Sequence, residues 1–540
     1  MNPHAWCDSS PKETSKEPPN PQSILRCLLV LHIGSKHSLI AGLAQLCARA
    51  DSVSFGHFRS ILAYDSLQPD EVCRMKKDSP RPRSPRGRRS ALLPGLMIAV
   101  VLIGVPLLVL FYQSYQSGLS LGQTLGQLFK RARKDDATAP PVQAVQGKKV
   151  DFLTPLQIGF PPSSDSPRIG SLEIVDLDKD NLPDVLVSDM LINRVGWIRQ
   201  YPAGTYTERW ISPVIAAPAH VSATDMDRDG DLDVLVASMG QLFASNDKIG
   251  SVVILENDGR QGFTPRTIVD RIARVTDVRG ADFNRDGRLD LIVGQFGYDD
   301  GETRWMENLG NWQFRSHMLQ RLSGVIHTIP NDVDEDGDMD IFSLVSQEWE
   351  EIYIYENDGH ANFKSHLVWG STNEDYGSSG MRLADMNRDG LIDILYTNGD
   401  AFDYLPPRPR PWHSVQWLEN KGGFKFEHRP IGKFNGASGA VAADVDDDGD
   451  LDVAAVSCYN LWEQPESQSM IWFENDGKMS FTQHDIAHNP THLISLETAD
   501  MNGDRKPDFV TVRMDVYPPF SPEGRVMLWL NHWGQAQNKP

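Results

Sequence analysis

Cysteine is scarce where a small β domain would use it. Four of the five (Cys7, Cys27, Cys47 and Cys73) precede residue 75, and the rest of the chain keeps only Cys458. That excludes an internal disulfide downstream, and the lack of any CxxC or CxxCH excludes zinc ribbons and c-type haem. A basic excess is also missing: the formal net charge is −21 over 540 residues, which argues against nucleic acid as a partner. No Gly-x-Ser-x-Gly elbow, P-loop or HExxH helix occurs, so no common catalytic signature marks the chain as an enzyme.

One long uncharged run is present. Ala91 to Tyr112 carries no charge over 22 residues, enough for a helix to span a bilayer. Seven Lys or Arg lie between Lys76 and Arg89, ahead of it. The positive-inside rule then puts the N-terminus in the cytoplasm and the remainder outside. The run exceeds a usual signal-peptide core and no small-x-small cleavage site follows closely, so it reads as a single-pass signal anchor. Residues 1–90 read as a disordered basic region. Residues 1–74 are either a cytoplasmic extension or precede the true start at Met75. Residues 113–149 are Gln/Ser/Gly-rich, then charged, then Ala/Pro-rich, and read as a linker.

From 150 to 540 the chain is organised around an acidic nonapeptide that occurs seven times. The cleanest copy is Asp225-Met226-Asp227-Arg228-Asp229-Gly230-Asp231-Leu232-Asp233. Carboxylates at positions 1, 3, 5 and 9 crowd oxygen ligands as Ca²⁺ requires, and Gly at 6 permits a sharp turn. The expected ligands are Asp176, Asp178, Asp180 and Asp184; Asp225, Asp227, Asp229 and Asp233; Asp282, Asn284, Asp286 and Asp290; and Asp332, Asp334, Asp336 and Asp340. The last three sets are Asp385, Asn387, Asp389 and Asp393; Asp444, Asp446, Asp448 and Asp452; and Asp500, Asn502, Asp504 and Asp508. Position 7 can add a backbone carbonyl, and up to seven Ca²⁺ are expected. Seven dications would bring the formal charge from −21 to −7. Asn181 replaces Gly in the first loop and Arg505 in the seventh.

The loops start 49, 57, 50, 53, 59 and 56 residues apart, a period of blades or solenoid units. Each unit has an apolar run into the loop, a second run out of it, a variable loop and a third strand ending Trp/Tyr-x-Glu-Asn. Trp305-Met306-Glu307-Asn308, Trp417-Leu418-Glu419-Asn420 and Trp472-Phe473-Glu474-Asn475 are examples. A hairpin turn such as Asn475-Asp476-Gly477 leads to a fourth strand. Four strands per unit predicts an all-β fold, a seven-bladed β-propeller of four-stranded blades preceded by a single transmembrane helix. The array ends on a third strand, Trp529-Leu530-Asn531, and begins with a spare one, Asp151 to Ile158. Pairing the two would complete the seventh blade.

These loops resemble FG-GAP/VCBS-type repeats, similar to the seven-bladed propeller of integrin α subunits, over roughly Val150 to Asn531. The resemblance implies Ca²⁺ in the hairpin loops and a ligand-binding role. The literal Phe-Gly…Gly-Ala-Pro signature is absent, and Phe296-Gly297 is the one trace of it.

The strand before each acidic loop should be innermost, with the acidic loops on one face and the variable loops on the other. Five residues before the loops of units two, three and four stand His220, Asp277 and His327, and three before the fifth stands Arg382. At about 3.3 Å per residue, position −5 lies near the variable face, at the channel mouth. The variable loops carry Tyr298, Trp349, Tyr376, Tyr404, Trp412, Tyr459, Trp462, Tyr517 and Phe520. Of these, Trp349, Tyr459 and Trp462 join His220, Asp277, His327 and Arg382 as candidate ligand-binding residues, and no catalytic residue is assigned. The expected protein is a membrane-anchored, extracytoplasmic (periplasmic or cell-surface) calcium propeller that binds protein or polysaccharide. The alternative is a carbohydrate lyase or hydrolase acting at the channel mouth.

Overall fold

The structure, a computed structural model, describes residues 141–161, 166–402, 404 and 406–534. The expected membrane span at 91–112 lies outside these residues, and among the described residues no helix is long and apolar enough to cross a membrane.

Seven four-stranded antiparallel sheets follow one another along the chain. Their first strands are Ile169–Val175, Pro218–Thr224, Val275–Ala281, Val325–Asn331, Gly380–Ala384, Ala437–Ala443 and Leu493–Ala499. They define blades one to seven. The second strand of every blade is buried at each residue, as in Asp233–Ser238 and Asp340–Val345. Neighbouring blades cover both its faces, so the sequence there is a continuous Val/Leu/Ile run rather than an alternation. The fourth strand lies outermost and alternates, as Tyr206–Trp210 does.

The core is not central. Among the described residues it is divided into seven large apolar clusters, each built from two adjacent blades, and a small eighth of Ala401, Cys458 and Tyr459. One of them joins Val510, Val512 and Leu528 of blade seven to Ile169, Val185 and Ile198 of blade one, which closes the ring. Closure also runs through the backbone. Leu153–Gln157 pairs antiparallel with Val526–Asn531, Leu153 opposite Asn531, and supplies the missing strand of blade seven. Phe152 then packs edge-on against Trp472 and Trp533, at 5.5 and 4.9 Å between ring centroids.

The end of the expected linker belongs to the propeller. Val145–Gln146 adds a fifth, parallel strand to blade six opposite Thr482 and Gln483. The fourth strand of that blade left its outer backbone groups unpaired, and a short extended segment nearby satisfies them.

Candidate functional site

The acidic loops are closely wound. In blade four the Asp332 carboxylate accepts the N–H groups of Asp336 and Gly337 at 3.1 and 2.9 Å, and Asp336 accepts that of Asp338 at 2.9 Å. Blades three, five and six repeat the first pair of bonds. Positions 4 and 6 both take positive φ, for example Arg228 at 62° and Gly230 at 100°. The seventh loop places Arg505 in that conformation at 68°, where a side chain is strained. Position 4 has a second role. Lys179 reaches Asp231 at 3.5 Å, Arg228 reaches Asp282 at 3.9 Å, and Arg285 pairs with Asp338, each linking one loop to the next blade's.

Position 9 is buried in all seven blades. In blade two, Asp233 Oδ2 accepts the N–H of Met226 at 3.0 Å and Oδ1 that of Asn257 at 2.8 Å. The Asn257 side chain donates in return to the Leu232 carbonyl at 3.0 Å. This latch ties the acidic loop to the end of the third strand, and it explains the Asn of the Trp-x-Glu-Asn pattern. Position 9 was expected only to close a cation shell. Here both oxygens already accept backbone donors, and each keeps one further lone pair for a metal. Burial pushes these carboxyls up, to about 7 for Asp184, Asp233, Asp340, Asp393 and Asp452 and about 6 for Asp290 and Asp508.

The loops fit a cation. Carboxylate oxygens within 4.8 Å of one another come from Asp225, Asp227 and Asp229, from Asp332, Asp334 and Asp336, from Asp444, Asp446 and Asp448, and from Asp176, Asp178 and Asp184. One oxygen each of Asp178, Asp225 and Asp446 is buried without a hydrogen-bond donor, a cost that a metal would relieve. Burial, then repulsion from Asp448, Glu474 and Asp444, pushes Asp446 up to about 6. In blades three and five the position-3 amide, Asn284 or Asn387, instead donates to Asp286 or Asp389 at 3.2 and 3.1 Å.

The opposite face holds the channel mouth. A β-bulge interrupts the first strand in blades two, three, four, six and seven just before position −5. The extra residues, Ala219, Thr276, Ile326, Ser438 and Ile494, all line one cavity of about 310 Å³. Bulges re-aim side chains, and these five turn the channel end into a floor. No sequence signal marks them, because a bulge inserts a residue without changing the apolar pattern.

His220, Asp277 and His327 do meet. Asp277 is fully buried, with Oδ1 3.1 Å from His220 Nδ1 and Oδ2 3.6 Å from His327 Nδ1. Its Oδ2 also accepts the Thr328 N–H at 2.9 Å. Burial alone would raise this carboxyl, but the Arg279 guanidinium leads the influences that outweigh it and hold Asp277 well below the carboxylate range. Burial keeps both imidazoles neutral, His220 at about 3. His220 Nε2 faces an Arg279 guanidinium nitrogen at 3.1 Å. His327 Nδ1 stands beside the Asp277 carboxylate, beyond hydrogen-bond distance, and the residue lines the cavity. Arg382 lies 3.5 Å from Glu497, whose other oxygen accepts the Ile174 N–H at 2.8 Å.

The aromatic candidates separate. Tyr298, Tyr404 and Tyr459 line the cavity with His220, His327 and Arg382. Trp462 lines a separate crevice of about 140 Å³, with Tyr459, Tyr517, His492 and Pro518. Trp349 lines neither; it is half-buried on the apolar cluster between blades three and four. Its neighbour Glu350, which no sequence motif marks, takes the cavity wall instead. Glu350 is buried and accepts the N–H groups of Ser378 and Gly377 at 3.0 and 3.2 Å. Burial pushes its carboxyl up to about 8. Tyr376 and Trp412 belong to the cluster between blades four and five.

The FG-GAP-like repeat family matches residues 176–236, 241–293 and 332–396. The crystal structure of BBS1N in complex with ARL6DN, soaked with lead, is similar with a TM-score of 0.44 and 9% identity, covering 74% of this chain and 100% of that one. No curated protein matches.

Proposed function

We propose that this seven-bladed propeller of FG-GAP-like repeats is a membrane-anchored, extracytoplasmic binding module, stabilised by Ca²⁺ in its acidic loops and taking its ligand at the bulge-floored cavity. The observation that carries the binding reading is the junction of His220, Asp277 and His327 beneath that cavity. Three inner strands bring these side chains together around one buried carboxylate, an arrangement preorganised for a ligand. The wall combines tyrosine rings with Arg382, Glu350 and Ser379. Flat rings beside paired donors and acceptors suit a polysaccharide better than a featureless apolar ligand. In a loop that binds it, the residues at positions 1, 3 and 5, with the carboxylate at 9, would hold the metal, which would supply charge neutralisation and fix the turn.

The Asp277–His327 pair also favours a second reading, a carbohydrate lyase or hydrolase in which His327 Nε2 accepts a proton. One experiment separates the two. The purified protein, His327→Asn and Arg382→Gln are titrated with a panel of soluble oligosaccharides by calorimetry, and reducing ends are assayed alongside. The binding reading expects one oligosaccharide class to bind without turnover and both variants to lose at least tenfold in affinity. Release of reducing ends that His327→Asn abolishes would establish the enzyme. Equal binding by all three proteins would remove the cavity from the function.

A further inference from the structure

The seven acidic loops are not equivalent, and the difference lies outside the nonapeptide. The residue whose N–H meets the position-9 carboxylate is Gln200 in blade one and Asn257, Asn308, Asn357, Asn420, Asn475 and Asn531 in the others. The residue just before it is Glu256, Glu307, Glu356, Glu419 and Glu474 in blades two to six, and Leu530 in blade seven. In blade one it is Arg199. In blades two, four and six these glutamates add to the negative charge felt at position 3, by Asp227, Asp334 and Asp446. Arg199 does the reverse.

We infer that the Arg199 guanidinium is the resident cation of the first loop and displaces Ca²⁺ from it. Arg199 Nε lies 2.6 Å from Asp178 Oδ2, and a terminal nitrogen lies 3.1 Å from Asp180 Oδ2. It therefore spans positions 3 and 5, two of the carboxylates that a metal needs. Gln261, from the last turn of blade two, donates to the same Asp178 oxygen at 2.9 Å. The guanidinium is held from its other side by the Tyr201 ring, 4.6 Å from its carbon. A dication among these carboxylates would sit against a fixed positive charge and would have to break both ion pairs. The oxygens of Asp176, Asp178 and Asp184 still lie within 4.8 Å of one another, so the loop keeps the shape of its siblings while Asp178 and Asp180 are paired from within the chain; the second Asp178 oxygen stays without a donor.

The inference rests on calcium occupying the other loops, and its test separates the two ideas. Bound Ca²⁺ per chain is counted by equilibrium dialysis and elemental analysis for the wild type, Asp178→Ala, Asp227→Ala, Arg199→Glu and the Arg199→Glu/Asp178→Ala pair. Asp227→Ala should lower the count by one, whereas Asp178→Ala should leave it unchanged. Arg199→Glu, which installs the residue type of blades two to six, should raise it by one, and adding Asp178→Ala should remove that gain. A loss of one Ca²⁺ on Asp178→Ala alone would overturn the inference and leave the calcium reading standing. No bound Ca²⁺ in any of the proteins would bring down both. Should Arg199→Glu fail to fold, the two single Asp variants still decide.

Discussion

The backbone N–H of Asn475 donates to Asp452 Oδ1 at 2.8 Å, and Asp452 Oδ2 accepts the N–H of Val445 at 3.1 Å. One buried carboxylate thus joins the start of an acidic loop to the end of the third strand. Asp452→Ala leaves two buried donors unpaired, at about 1–3 kcal/mol each, for a loss of roughly 2–6 kcal/mol. Urea unfolding in EDTA checks this, because the latch needs no metal. A loss seen only with Ca²⁺ present would mean that Asp452 acts as a ligand and nothing more.

Ring closure depends on a few residues far apart in sequence. Phe152 is 7% exposed and packs on Trp472 and Trp533. Phe152→Ala should cost about 3–5 kcal/mol, measured by chemical denaturation. The same change at exposed Phe520 should cost less than about 0.5 kcal/mol. Equal effects would mean that the closing strand is not part of the cooperative unit.

Much of this architecture was legible in the chain itself. The acidic loops, the Asn-Asp-Gly turns and the continuous apolar second strands are local signals repeated seven times, so each copy corroborates the others. The spare strand at Leu153 was legible because the array ends one strand short. His220, Asp277 and His327 were legible as neighbours because they hold the same register in successive blades. What escaped depends on contacts across the ring. Arg199 can be read as a cation for the first loop only once the third strand lies against it. Trp349 and Glu350 are adjacent, and nothing local says which turns to the cavity. The bulges at Ala219, Thr276 and Ile326 likewise leave no mark on the pattern.

Glu350 predicts a pH dependence. Its carboxyl is pushed up by burial to about 8, against an ordinary value of 4.5. The folded chain therefore holds this proton where the unfolded chain releases it. The stabilisation is complete below about pH 4.5 and is lost as pH rises through about 8. Glu350→Gln keeps a neutral group of the same shape. Relative to this variant, the wild type should lose stability steadily between pH 5 and 9, as read from urea midpoints. Parallel curves would contradict the assignment.

The uncharged run at 91–112 predicts where the protein resides. Full-length protein should stay with membranes through alkaline carbonate washing, and deletion of residues 91–112 should move it to the soluble fraction. Release of the intact chain by the wash would contradict the anchor.

The most direct test of the account is thermal unfolding of the purified protein with millimolar Ca²⁺ and after chelation. Ligands that bind only the folded state add about 2.7 kcal/mol per site at a hundredfold excess over the dissociation constant. The account predicts a fall in Tm of more than 10 °C on chelation, reversed by Ca²⁺ and accompanied by several Ca²⁺ per chain. An unchanged Tm with no bound metal would contradict it, leaving the acidic loops as turns held by their own hydrogen bonds.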